Sequence, residues 1–299
     1  MSSKQSNIIL PVLALLLGST LWGVFWYPLR LLEASGLVGL WATLLIYGAA
    51  LMVGLPVILK RRYPIVRPWM LLLLAYVSAW CNIAFILAIL EGNVVRVTLL
   101  FFLSPLWTVI LSRLLLDEPL TRAARLTLGL ALLGALIMLW NDEMGVPWPQ
   151  SQADWLALSS GFAFALANVL IRKMHDVEIW VKTVFTWWGA VSLAAVWMLV
   201  AGIPLPEVEH EVVIGALSLG AIGMVVMTLV VLYGVTHMPA HRSAVILLFE
   251  LVVGAVSAQL LTDEQVMLNE WVGGLLIVLA GWYAARHQIR GPDSTGTWN

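Results

Sequence analysis

The stretch Leu115-Leu116-Asp117-Glu118 closes a long apolar run, and a similar stretch, Leu261-Thr262-Asp263-Glu264, closes another run 146 residues later. Arg96 stands before the first run and Arg242 before the second at the same displacement. Self-similarity at a fixed displacement is the mark of an internal repeat. The sequence therefore predicts that the chain is built from two related halves.

The composition indicates an integral membrane protein. Of 299 residues, 61% are hydrophobic and 11% charged, and the mean hydropathy is +0.94, which is too apolar for a water-soluble domain. The lipid bilayer is thus an expected partner. A net charge of -1 offers no basic surplus for phosphates, so nucleic acid is not an expected partner. Cys81 is the only cysteine, which excludes an internal disulfide, and no metal or cofactor is expected.

Apolar runs recur along the chain, each long enough to cross about 30 Å of hydrocarbon as a helix. Lipid offers backbone groups no partner, so these runs must be helical and the fold all-α. Ten spans are predicted, at 8–31, 36–59, 68–90, 95–116, 122–140, 153–172, 179–201, 212–234, 243–261 and 268–286.

The ten spans divide into two units of five, predicted at 1–146 and 147–290, and the polar tail 291–299 is expected to be disordered. Five is an odd number, so the second unit must enter the membrane from the opposite side. Inverted repeats of this kind are typical of secondary transporters, whose substrate site lies near the midplane where the halves meet.

The distribution of positive charge predicts the orientation. With ten spans and both termini cytoplasmic, every Lys and Arg except Arg30 and Arg96 falls on the cytoplasmic side or at its boundary, Lys182 among them. Positively charged segments resist translocation. We therefore expect both termini in the cytoplasm, with charged residues at the span ends fixing the topology.

Several motifs resemble those of the drug/metabolite transporter superfamily, and in particular its ten-helix EamA-type carriers. They are Trp22-Gly23 in the first span, Ser104-Pro105 followed by Glu118, and the matching segment from Glu250 to Glu264. The resemblance implies a multi-pass inner-membrane carrier that exports amino acids or other small metabolites, in some members by proton exchange. The family often has proline after the glutamate of the ninth span, where this chain has Leu251. The ninth span is therefore expected to lack the kink that Pro105 should impose on the fourth.

Glu250 lies in the apolar stretch from Ile246 to Ala255. An ionised side chain inside a span costs roughly 2.5 to 3.5 kcal/mol, so intramembrane acids usually face the protein interior and serve a function. The stripe that carries Glu250 also carries Ser243, Gly254 and Ser257, and should face inward. Burial disfavours the charged carboxylate, so Glu250 is predicted to exchange protons or to bind a substrate amine. The alternative is a protonated Glu250 that only bonds a neighbouring group.

Other mid-span residues are predicted to line the same cavity. Ser104 and Thr108 are the repeat counterparts of Glu250 and Gly254, and Asn168 is that of Trp26. Amides and hydroxyls avoid lipid, and indole rings attract cations, although all of these groups also serve in helix packing. The predicted lining residues are Trp22, Trp26, Trp80, Asn82, Ser104, Thr108 and Asn168.

Arg96 and the five histidines are not expected to take part in the chemistry of the site. Arg96 could pair with Glu91 or guide anions, but snorkelling to the interface is favoured. The histidines fall in loops or at span ends, so none is expected to be a buried pH switch. Neither a phosphate-binding glycine loop nor a nucleophile-base pair is evident, which argues against an ATP-driven pump or an enzyme.

The sequence thus predicts a secondary active transporter that moves a small organic metabolite by alternating access, coupled to protons, and the resemblance implies that it exports this metabolite across the inner membrane. An amino acid or amine, apolar or aromatic in its body, is the expected substrate. Two alternatives remain open. One is a facilitative uniporter or pore for a polar solute, and the other is a non-transporting membrane scaffold. The sequence makes no prediction of oligomeric state.

Overall fold

A computed structural model describes residues 2–37, 39–92, 94–140, 149–262 and 266–290. Throughout these ranges the chain is helical, with turns and short loops between helices and no strand. The predicted all-α fold is confirmed. The expected repeat boundary at 146/147, the Asp263-Glu264 pair and the tail 291–299 lie outside the described residues.

Thirteen α-helices are seen in the described ranges. They are α1 (Ser2–Ala34), α2 (Gly39–Arg61), α3 (Pro68–Glu91), α4 (Val94–Phe101), α5 (Ser104–Leu116), α6 (Arg122–Leu139), α7 (Gln152–Lys173), α8 (Ile179–Ala201), α9 (His210–Ser218), α10 (Val225–His237), α11 (Ala240–Leu247), α12 (Phe249–Leu261) and α13 (Leu268–Arg290). A π-helical segment, Leu219–Met224, joins α9 to α10.

Nine segments within the described residues are long and apolar enough to cross a membrane. Three of them combine consecutive helices: α4 with α5, α9 with α10, and α11 with α12. The last helix, α13, adds a shorter apolar stretch, Leu268–Ala284. Large apolar side chains such as Met52, Leu199 and Val200 are more than 70% exposed, as expected of a surface that faces lipid.

Local sequence sets where several helices begin and end. Ser151 caps α7, because its Oγ accepts from the N–H of Asp154 while the Asp154 carboxylate accepts from the N–H of Ser151. Thr121 caps α6 in the same way through the N–H of Ala124. Asp117 ends α5 in the left-handed conformation, with φ of 54°. The loop that carries Glu118 is therefore short and defined at both ends.

Two spans are broken near their middle. The fourth is interrupted at Phe102 and Leu103 between α4 and α5, before Pro105. Pro105 has no N–H to offer the Phe101 carbonyl, and this carbonyl lies against α7 at Gly161, where an added Cβ would be 2.6 Å from it. The predicted kink is therefore present, and the freed carbonyl packs against protein.

The ninth span is interrupted at Leu248, so the expectation that it would lack a kink was wrong. Proline is not required there, because a side chain from another helix can disturb the backbone ladder instead. Ser19 of α1 is buried at this point, and its Oγ lies 3.4 Å from the carbonyl oxygen of Ile246. The two breaks occupy equivalent places in the two repeats.

Helix packing follows a pseudo-twofold pattern between α1–α6 and α7–α13. In the first repeat α3 packs against α7, as α10 of the second packs against α1, and α5 packs against α7 as α12 does against α1. The equivalent helices α2 and α8 pack against each other, as do α6 and α13. The three largest apolar clusters all combine residues of both repeats. With five spans each, units related by a twofold axis run in opposite directions through the membrane, as predicted.

Candidate functional site

Glu250 lies in the first turn of α12, two residues after the break at Leu248. Its side chain is half-buried and makes no hydrogen bond or ion pair within the described part of the chain. The backbone of Glu250 packs closely on α1, where a Cβ on Gly23 would be 2.8 Å from the Glu250 carbonyl oxygen. A carboxylate in a first turn is favoured by the helix dipole.

The stripe that carries Glu250 faces the protein, as predicted. Ile246 is buried one turn before it, Ser243 two turns before it, and Ser257 two turns after it. The Ser257 Oγ donates to the carbonyl oxygen of Gly23 at 3.2 Å. The prediction that α12 turns its small and polar face away from lipid is confirmed.

Polar residues of α2, α3 and α7 lie around Cys81 and Asn82. Cys81 of α3 is within electrostatic range of the Glu250 carboxyl. Ser160 of α7 donates to the carbonyl oxygen of Cys81 at 2.6 Å. Next to it, Asn82 donates through Nδ2 to the Tyr47 hydroxyl at 3.2 Å and accepts from Thr43 at 3.5 Å. Asn82 therefore joins α2 to α3. The region around Glu250, Cys81 and Asn82 is called the centre below.

Tyr47, Cys81 and Ser160 were not among the residues predicted to line the site. Cys81 is half-buried, and Tyr47 is a half-buried phenol on α2. The adjacency of Cys81 to Asn82 was one available signal, and the mid-span hydroxyl of Tyr47 was another. Which helix each residue faces depends on packing between repeats, which the sequence pattern does not contain.

The three predicted tryptophans occupy different settings. The Trp26 indole N–H donates to the Ser257 hydroxyl at 2.9 Å, which ties α1 to α12. The Trp80 N–H donates to the Ser159 hydroxyl at 3.3 Å, which ties α3 to α7. Trp22 is half-buried, packs edge-on to Phe25 with ring centroids 5.4 Å apart, and touches two apolar clusters. Among the described residues, no hydrogen bond ties the Trp22 indole to another helix.

An aromatic group gathers at the break of the fourth span. The Phe101 ring lies 4.9 Å from that of Phe85 and 5.5 Å from that of Phe164, centroid to centroid. These rings come from α4, α3 and α7, and all three are half-buried. Phe164 stands 142 residues after Trp22, the displacement that also separates Trp26 from Asn168.

Ser104 and Thr108 are buried in α5, with exposed fractions of 3% and 1%. The Thr108 hydroxyl donates to the carbonyl oxygen of Ser104 at 3.0 Å. This bond to the preceding turn satisfies the hydroxyl without any ligand. The geometry around Thr108 therefore favours its packing role.

Asn168 of α7 differs from the other predicted lining residues. Its side chain is 4% exposed, and its Nδ2 is buried without a hydrogen-bond partner among the described residues. Its neighbours Ala167 and Leu170 belong to the apolar cluster that contains Ile246 and Leu247 of α11. The helix turn that carries Asn168 thus contributes to the same apolar cluster as the half-helix that leads to Glu250. A buried amide N–H left unpaired costs about 1 to 3 kcal/mol.

A second polar cluster surrounds Glu118, in the loop between α5 and α6. The Arg172 Nε donates to Oε1 at 3.2 Å, and the backbone N–H of Ala240 donates to Oε2 at 2.9 Å. His241 lies 3.7 Å from Oε2. Burial alone would raise the pKa of the Glu118 carboxyl, but the hydrogen bonds from His241, Ala240 and Arg172 outweigh it and hold the pKa below its ordinary value.

The expectation that Arg96 snorkels to the interface was wrong, and His241 and Lys182, which lie near span ends, are buried. His241 is 8% exposed and packs inside the Glu118 cluster. Arg96 does not snorkel, because its Nε donates to both carboxylate oxygens of Asp154, at 2.9 and 3.0 Å. Lys182 is 0% exposed and donates through Nζ to the Thr236 hydroxyl and to helix-end carbonyls of α7. Interhelical acceptors, which the sequence pattern does not place, hold these groups inside.

No cluster of three or more His, Cys, Asp or Glu residues in the described part of the chain could hold a metal ion. The half-buried Glu250 carboxyl, and the Asn168 amide whose Nδ2 has no partner among the described residues, are polar groups inside a helical bundle of two repeats.

The family model for the EamA-like transporter family matches residues 9–140 and again 151–284, and the chain belongs to this family. It is therefore a membrane transporter of small molecules. Twenty-eight chains of solved structures match. One, titled "Crystal structure of protein", is 17% identical with a TM-score of 0.74, covering 93% of this chain and 96% of that chain, and supports the fold. No curated protein matches the chain.

Proposed function

We propose that the protein is a secondary active transporter that exports a small amine or amino acid across the inner membrane by alternating access, with transport coupled to protons. The observation that carries the proposal is the Glu250 carboxyl, which lies at a helix break with no hydrogen-bond partner in the described part of the chain. Such a group needs either a proton or a cation in an apolar environment.

The surroundings of Glu250 support an organic ammonium with an apolar body. Trp22 packs against the apolar cluster that contains Ile246 and Leu247 of α11, and ring faces attract cations. The unpaired Nδ2 of Asn168 can donate to a carbonyl or carboxylate oxygen of the same ligand. An amine on Glu250 and an oxygen on Asn168 would together suit an amino acid or a related amine.

Alternating access from this site requires that Glu250 face one side of the membrane at a time. A carboxyl that is protonated on one side and exchanged for a cationic substrate on the other couples the two fluxes in opposite directions. The excess of Lys and Arg at the ends predicted to face inward supports cytoplasmic termini. Export, in exchange for entering protons, is proposed from the resemblance to carriers of this family.

Replacing Glu250 by Gln tests the coupling. In proteoliposomes, E250Q is expected to lose the pH dependence of transport, because an amide cannot exchange a proton in this range. The substrate-dependent proton flux should be lost with it. The exposed Glu33 provides a matched control, and E33Q should behave as wild type. Unchanged pH dependence in E250Q removes Glu250 from the coupling role.

The same assay separates the alternatives. Wild-type flux driven by a substrate gradient without any proton movement would identify a facilitative uniporter. A scaffold would show neither flux nor stabilisation by any member of a broad panel of amino acids and amines.

A further inference from the structure

In each broken span, the half-helix before the break contacts the other repeat at the end that lies away from the break. In the ninth span, α11 begins at Ala240, whose N–H donates to Glu118 at 2.9 Å. In the fourth span, α4 carries Arg96, whose Nε donates to Asp154 of α7 at 2.9 Å. The segment Arg96–Leu116 spans the membrane between Arg96 and the loop that carries Glu118. The two ties therefore lie on opposite faces.

Glu118 belongs to the first repeat, yet every group that holds its carboxylate belongs to the second. Arg172 comes from the end of α7, 54 residues away, and Ala240 from the start of α11, 122 residues away. Arg172 also donates through Nη1 to the carbonyl oxygen of Thr236 at 2.7 Å. Charge-assisted bonds at partly buried positions are stronger than exposed ion pairs. One carboxylate thus fastens the ends of α7, α10 and α11 together.

The tie at Glu118 acts on a helix that can pivot. The half-helix α11 is eight residues long and ends at the interruption at Leu248. Interrupted ladders are where helices bend, and short terminal segments absorb hinge motion. Beyond the interruption, the first turn of α12 carries Glu250. Release of the start of α11 would therefore move backbone between Glu250 and the face that bears residues 117–121.

We propose that the Glu118 carboxylate is the latch of a gate formed by α11. While Glu118 holds Arg172 and the start of α11, the centre is closed to the face that bears residues 117–121. When the latch opens, α11 pivots at Leu248 and Glu250 becomes reachable from that face. Arg96 and Asp154 hold α4 on the other face. The latch concerns access to the centre, so it applies whatever the substrate and whether or not protons are coupled.

The single cysteine of the chain supplies a reporter. Cys81 is half-buried and lies within electrostatic range of Glu250. A membrane-impermeant maleimide, added to one side of proteoliposomes of determined orientation, reports how often the centre opens to that side. E118Q is expected to label about ten-fold faster than wild type from the 117–121 face, the factor that corresponds to one lost charge-assisted hydrogen bond. Labelling from the opposite face should not accelerate.

The tie on the other face provides the matched control. R96Q leaves the Ser151 cap of α7 intact and is expected to accelerate Cys81 labelling from the opposite face only. C81S proteoliposomes give the background, and labelling after denaturation gives the amount of protein present.

R172Q removes the partner of Glu118 in the same latch. It replaces E118Q in the experiment if E118Q is not recovered in folded form. If both are recovered, the E118Q/R172Q double variant should label no faster than the faster single variant, since one latch is removed in each case. Wild-type labelling rates in both E118Q and R172Q, or acceleration from the opposite face, would overturn the proposal. Transport activity is not measured, so the result is independent of the function proposed above.

Discussion

At the scale of single residues, the interior contains two kinds of polar side chain. Some form hydrogen bonds between helices, and others have no hydrogen-bond partner among the described residues. The side-chain N–H groups of Trp26, Trp80 and Asn82 donate hydrogen bonds to neighbouring helices. Within the described residues, the Asn168 Nδ2 and the Glu250 carboxyl have no hydrogen-bond partner. Because an unpaired buried polar group lowers stability, the sites that retain one are the best candidates for contact with a ligand.

Replacing Asn168 by Leu is expected to separate stability from binding. Leu has a similar size and removes an unpaired buried amide, so the ligand-free protein should unfold at the same or a higher temperature, with a gain of up to about 1 to 3 kcal/mol. The same change should weaken substrate binding. Thermal unfolding in detergent, with and without substrate, measures both. A large loss of stability without ligand would show that Asn168 is a structural residue instead.

The Glu118 cluster predicts a pH dependence of stability. The folded-state pKa of Glu118 lies below its ordinary value of 4.5, so this group contributes stability at all higher pH. That contribution is lost as the pH falls from about 4.5 through the lower folded-state pKa. The difference in unfolding temperature between wild type and E118Q should therefore shrink over this interval. A difference that stays constant with pH would contradict the assignment.

At the scale of elements, the two broken spans reach the same shape by different means. Pro105 removes a donor from the fourth span, whereas a hydroxyl from α1 approaches the ladder of the ninth. The first mechanism can be read from the sequence, because proline acts on its own helix. The second cannot, because it requires Ser19 and Ile246 to meet across 227 residues of chain.

Substitution of Gly161 tests whether α7 packs closely against the Phe101 carbonyl at the break of the fourth span. An alanine Cβ at this position would lie 2.6 Å from the Phe101 carbonyl oxygen, so α7 and α4 must move apart. We expect G161A to destabilise the protein by about 1 to 3 kcal/mol in thermal unfolding. Gly129 on α6 has nothing within 4 Å of an added Cβ, and G129A should be neutral or slightly stabilising. Equal behaviour of the two variants would argue against the close packing.

At the scale of the whole molecule, the repeats depend on each other. Each of the three largest apolar clusters draws on both repeats, and the ionic contacts of Glu118 and of Arg96 cross between them. Motion of one repeat against the other must therefore break specific contacts at one face or the other. This arrangement suits a protein that opens to one side at a time.

A ligand screen by thermal unfolding tests the proposed substrate class on the intact protein. Amines and amino acids with apolar bodies are expected to raise the unfolding temperature, and simple anions are not. At about one hundred times the dissociation constant, the ligand should add about 2.7 kcal/mol of stability. E250Q should lose this response to amines while keeping its ligand-free unfolding temperature near that of wild type. Stabilisation by anions alone would contradict the proposed site.

The sequence by itself determined the membrane class, the spans and the repeat of five helices. These depend on the length and polarity of local runs, and lipid allows such runs only one backbone structure. Only the tertiary structure decided that Glu118 meets Arg172 and Ala240, that Lys182 and His241 are buried, and that the ninth span bends. Those features depend on which helix faces approach each other, and residues far apart in the chain set that choice together.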